Sequence, residues 1–146
     1  ADRGFALELL HNNAWLYEGF ALCGTRGWFY EEDDRGTHDE KVFLREMGRL
    51  ETSLKAGLAL LSKAEPGTAP ADLGARLLVF LHYPPLYEGY RCDEIVALLN
   101  AYGVKRCFYG HLHGPARDRA IEGDYRGIEY RLLSADHVDF TPVKIL

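Results

Sequence analysis

His82, His111 and His113 are the residues whose type and spacing point most directly to chemistry. His111 and His113 sit between Gly110 and Gly114, and His82 ends the apolar run Leu77-Leu78-Val79-Phe80-Leu81. Neutral imidazole ligates zinc, iron and manganese, with nitrogen–zinc bonds of about 2.0–2.1 Å. Flanking glycines let a backbone turn closely around an ion. A lone histidine is more often a hydrogen-bonded residue than a ligand. Two at i and i+2, joined by another at a matched strand end, favour a metal site. The spacing leaves open a single ion with an exchangeable water position or a pair of ions. His11, His38 and His137 lack such surroundings and read as surface or structural residues.

Those rings meet only if their strands finish side by side. Cys92 to Tyr102 reads as a helix, with Ile95, Leu98 and Leu99 facing inward and Gly103 as its stop. Lys105 to Tyr109 reads as a second short strand, which ends at the Gly110 to Gly114 segment. Strand, helix, strand at this spacing is a βαβ unit with parallel strands. Parallel strands deliver their C-terminal ends to one sheet edge, where open α/β sheets bind ligands. Neighbouring strands lie about 4.8 Å apart, so the imidazoles are expected to converge within reach of an ion.

The rest of the chain supplies the frame. Ala14-Trp15-Leu16-Tyr17 and Phe20-Ala21-Leu22-Cys23 flank Glu18-Gly19 and read as a hairpin. Gly24 and Gly27 then stop the strand, and an acidic loop covers 30–36. Thr37 with Glu40 is a capping-box signature. Phe43, Met47, Leu50, Leu54, Leu58 and Leu61 form one helical stripe suited to covering a sheet. Glu51 and Lys55 can pair on its flank. Pro66 to Gly74 reads as a surface linker. After the histidines, Arg117 to Ile121, Gly127 to Leu133 and Asp139 to Leu146 read as antiparallel strands.

Composition narrows the function classes. A chain of 146 residues suits one domain with a real core. The net charge of −5 argues against a broad nucleic-acid footprint, so an anionic ligand needs a local positive device such as metal ions. No apolar run approaches the roughly 18 residues of a membrane span. Cys23, Cys92 and Cys107 form no C-x-x-C pair, which fits a reducing cytoplasm.

Leu81-His82-Tyr83-Pro84-Pro85 resembles the strand-end histidine motif of calcineurin-like metallophosphoesterases. Tyr109-Gly110-His111-Leu112-His113-Gly114 is similar to their G-H-x-H signature. Cys23-Gly24-Thr25-Arg26-Gly27-Trp28, the helix pairs Arg45-Glu46 and Arg49-Leu50, Leu133-Ser134-Ala135-Asp136 and Phe140-Thr141-Pro142 look like segments of a bacterial branch described as predicted phosphohydrolases. The resemblance implies an α/β fold, a sandwich of two mixed β-sheets flanked by helices, with metals at one sheet edge. It implies a hydrolase of phosphate mono- or diesters acting on a small phosphorylated substrate. His82 and His111 would hold one ion and His113 another, both divalent or trivalent transition metals (Mn, Fe or Zn). A hydroxide bridging them would attack phosphorus.

The early motifs of that family, D-x-H, G-D-x-x-D and G-N-H-D/E, are absent from the sequence. The chain 1–146 is therefore expected to be the C-terminal part of a single metallophosphoesterase domain whose N-terminal half is missing. It is expected to bind one ion or none by itself, to expose apolar surface and to self-associate. The alternative is a non-catalytic metal-binding or interaction module derived from that fold. Arg26 could reach phosphate oxygens or pair with the acidic Glu31 to Asp34 loop. Tyr83 and Tyr109 flank the histidines and would line a substrate cleft or pack at a strand end. Ser134, Asp136 and His137 are too close in sequence to form a hydrolytic triad.

Overall fold

The computed structural model describes residues 8–27 and 37–146. Trp28, the acidic run and the side chains of Thr37 and His38 lie outside the described residues, and so do the expectations placed on them. The architecture is α/β, built on a mixed six-stranded sheet with a separate two-stranded hairpin. β1 (Ala14–Tyr17) and β2 (Phe20–Thr25) form the expected antiparallel hairpin. α1 (Thr37–Ala64) and α2 (Pro70–Gly74) lead to β3 (Leu77–Leu81). The small hairpin β4 (Leu86–Tyr87) and β5 (Tyr90–Arg91) precedes α3 (Asp93–Ala101) and β6 (Arg106–Tyr109). A 3-10 helix (Gly114–Arg119), β7 (Gly123–Tyr125) and β8 (Ile128–Leu132) complete the chain, in the sheet order β1-β2-β3-β6-β8-β7.

Residue alternation decides which face of the sheet is packed. Cys23, Val79, Cys107 and Tyr130 are aligned across β2, β3, β6 and β8, and all are buried. Against this face α1 lays the stripe Phe43, Leu50, Leu54 and Leu61, each no more than 6% exposed. Burying one such leucine contributes about 1.5–3 kcal/mol. α1 approaches closely because residue 57 is glycine: a Cβ there would sit 2.4 Å from Cys23 Sγ. Tyr102 donates from its hydroxyl to Glu51 at 2.9 Å and ties α3 to α1, while Lys55 pairs with Glu51 at 3.0 Å. On the other face Phe80 and Phe108 stack at 5.0 Å. Val143 to Leu146 line a groove of about 520 Å³ there, with Leu22, Leu78 and Phe80 beneath them.

The structure departs from the sequence reading in the connections. The stretch read as a linker contains α2, with Pro70 in its first turn and Leu73 buried. Arg117 to Ile121 forms no strand, because the chain from Gly114 coils into the 3-10 helix with a proline at its start. Asp139 to Leu146 is not a strand either. β8 is antiparallel to β7 and parallel to β6, so its antiparallel partner is Gly123–Tyr125 rather than Arg117 to Ile121. Residues 110–127 are long enough to return the chain to the start of the sheet, which parallel pairing requires. In place of two mixed sheets, the described residues form a single large one and a small hairpin. No helix among them is long and apolar enough to cross a membrane.

Candidate metal centre

The register of the parallel strands places the site. Thr25, Leu81, Tyr109 and Leu132 are aligned as the last row of β2, β3, β6 and β8. Arg26, His82, Gly110 and Leu133 therefore open the first row beyond the sheet. Backbone bonds keep this edge level: Tyr83 N donates to Arg26 O at 2.9 Å, Gly110 N to Leu81 O at 3.2 Å, and Leu133 N to Tyr109 O at 2.7 Å. The strand ends, rather than any flexible loop, position the first histidine.

His111 is brought to His82 by a tight turn. Its φ is +71°, a region that non-glycine residues rarely adopt, and Leu112 N closes the turn on Gly110 O at 2.9 Å. The special backbone conformation thus falls on the histidine itself rather than on Gly110. Such strain persists where surrounding structure fixes it, and it clusters at functional sites. Leu112, 8% exposed, anchors the loop in the core. His111 Nδ1 and His82 Nε2 come to 3.2 Å.

That spacing is a hydrogen bond when one ring carries the shared proton. It also fits two neighbouring ligands of one ion, since bonds of 2.0–2.1 Å at a tetrahedral angle separate the nitrogens by about 3.3 Å. Ion binding then displaces the proton and leaves both lone pairs on the metal. The His111 pKa is lowered, first by burial and then by repulsion from His82 and His113, so the ring stays neutral and able to ligate. The described residues form no group of three or more histidine, cysteine, aspartate or glutamate side chains fit to hold one ion. The rings of His82 and His111 are the ones brought to 3.2 Å, nitrogen to nitrogen.

His113 faces elsewhere. Its Nδ1 lies 2.7 Å from Asp136 Oδ1, and Asp136 Oδ2 accepts from Gly114 N at 2.8 Å. The Gly114 amide, followed by His113 and Arg117, holds the Asp136 carboxyl below the usual range. Sequence alone gives Asp136 no role in the site. The parallel pairing of β8 with β6 was the missing signal, because it brings residues after β8 to the histidine edge.

The remaining candidates divide. Arg26 is exposed, and its guanidinium carbon lies 5.7 Å from the centre of the Tyr83 ring. Tyr83 in turn meets His82 and His111 edge-on, with ring centres at 4.7 and 4.6 Å. Tyr109 is 1% exposed and donates from its hydroxyl to Ile121 O at 2.7 Å, so it packs in the core rather than lining a cleft. Ser134 is buried, Asp136 faces His113, and His137 lies 3.2 Å from Glu122, so these residues form no triad. The thiols of Cys23, Cys92 and Cys107 are free and buried, and burial raises the first two to about 12 and about 11. Burial therefore keeps these thiols protonated at neutral pH. Comparison with protein-family models, with curated proteins and with solved structures returns no match.

Proposed function

We propose that this edge belongs to a metal-dependent phosphoesterase of calcineurin-like sandwich fold, acting on phosphate mono- or diesters. The observation that carries the reading is the 3.2 Å approach of His82 Nε2 and His111 Nδ1 at the ends of adjacent parallel strands. The motif resemblance around both residues supports it. His82 and His111 would hold one ion, and His113 would offer its free ring nitrogen to another. Manganese, iron or zinc, when bound, would polarise a phosphoryl oxygen and acidify a water molecule.

The chain's own groups account for binding. Neutral imidazoles add no negative charge, so ions held by them keep a full positive field for an anionic ester in a chain of net charge −5. Arg26, exposed beside Tyr83, offers a planar fork of donors to phosphoryl oxygens. Tyr83 packs on both paired rings and limits their rotation.

A second reading is a metal-binding module without catalysis, for which the same 3.2 Å pair of imidazoles would serve as the site of one ion. A manganese or zinc titration, followed by turnover of an aryl phosphate and an aryl phosphodiester, separates the two. Metal-dependent turnover lost in His82→Ala and His111→Ala supports the phosphoesterase. Binding without turnover selects the module. Turnover or binding indifferent to both substitutions overturns both readings.

A further inference from the structure

We infer that Asp136 is a positioning residue that fixes the tautomer of His113, holding the proton on Nδ1 and leaving the Nε2 lone pair free for a ligand. At neutral pH an aspartate is ionised and can only accept hydrogen bonds. The 2.7 Å contact therefore requires the proton on His113 Nδ1. The other carboxylate oxygen is taken by Gly114 N at 2.8 Å, so the residue clamps both the ring and the backbone just after it. Arg117 reinforces the clamp, donating from its Nη1 to Asp136 O and from its Nε to Gly114 O at 3.1 Å.

Burial does not explain the contact. The His113 side chain is 60% exposed, and water would satisfy Nδ1 without fixing the ring. Holding an exposed ring costs side-chain entropy, and the return here is a defined lone-pair direction. A carboxylate behind a metal-ligating histidine sets its tautomer and basicity, and removing such a partner typically costs about 10–100-fold in metal affinity. The contact joins residues 23 apart in sequence through the parallel register of β6 and β8, independently of the His82–His111 pair. The metal-binding consequence rests on the reading proposed above; the tautomer does not.

Long-range nitrogen-15 spectra of the metal-free chain read the tautomer directly. Wild type is expected to show the His113 proton on Nδ1, and Asp136→Ala to move it largely to Nε2. His82 and His111 resonances should stay unchanged in the same spectrum, which reports an intact fold. A cobalt titration should then show the His113-dependent site weakened about 10–100-fold in Asp136→Ala. A wild-type proton on Nε2, or a His113 tautomer indifferent to Asp136→Ala, overturns the inference. The expected tautomers with no cobalt bound by wild type uphold the role of Asp136 and remove the metal reading instead.

Discussion

His82 and His111 meet nitrogen to nitrogen across neighbouring strand ends, whereas His113, two residues further on, gives one nitrogen to a carboxylate beyond β8. The first arrangement follows from strand register plus one strained turn at His111. The second needs a hydrogen-bond network of the Asp136 and Arg117 side chains with the Gly114 backbone around an exposed ring. The pair is a preset chelate of two imidazoles at the sheet edge. His113 is a single donor aimed from behind. The difference teaches that one G-H-x-H segment can feed two positions held by different means.

The largest effect that sharpens this contrast is in metal affinity. In calorimetric titrations with zinc or manganese, His82→Ala and His111→Ala are each expected to weaken the first ion by at least about 100-fold, or about 2.7 kcal/mol. Losing half of a chelating pair should exceed the effect of losing an outer partner. His113→Ala should leave the first ion within about threefold, a change of well under 1 kcal/mol. Equal losses for all the variants would merge the histidines into one site and break the comparison.

A smaller effect tests what holds the two settings apart. Leu112 lies between the histidines and is 8% exposed, with its side chain in the core cluster. Leu112→Ala should lower stability by about 2–3 kcal/mol, near the low end for a buried leucine because the site adjoins the surface. Urea unfolding reads this as a shifted midpoint at unchanged slope. First-ion affinity should fall less than in His111→Ala. A stability change below about 0.5 kcal/mol would show that the turn at His111 is held by other contacts.

Much of this edge was legible before any coordinates. Turn residues mark the β1–β2 hairpin, a continuous apolar run marks β3 and helical apolar spacing marks α1 and α3. The βαβ logic, which brings all three imidazoles to one edge, includes the observed meeting of His82 and His111. What escaped was set by long-range pairing. Nothing local in Ile128–Leu132 says whether it runs with β6 or against it, yet that choice carries Asp136 to His113. Arg117 to Ile121 reads as a strand in isolation, but Gly114 and Pro115 ahead of it start the 3-10 helix that takes in its first residues. Tyr109 was ambiguous because strand-end aromatics either pack or face a cleft, and only burial decides. A one-residue difference in register would have sent it to the other face.

The smallest effect concerns protonation in the metal-free chain. His111 is held below the ordinary histidine value by burial first, then by His82 and His113. Its ring should therefore take up a proton at lower pH than a free histidine, whose value is about 6.5, as followed by the ring-proton resonance. Between the two values the unfolded chain binds more protons than the folded one, so stability rises with pH across that window. The contribution is complete above the unfolded value and declines as pH falls toward the folded one. His82→Ala removes the larger of the two repulsions and should move the His111 midpoint upward; His113→Ala should move it less. An unchanged midpoint in His82→Ala would mean that the two rings do not face each other in solution, and the contrast with His113 would lose its first member.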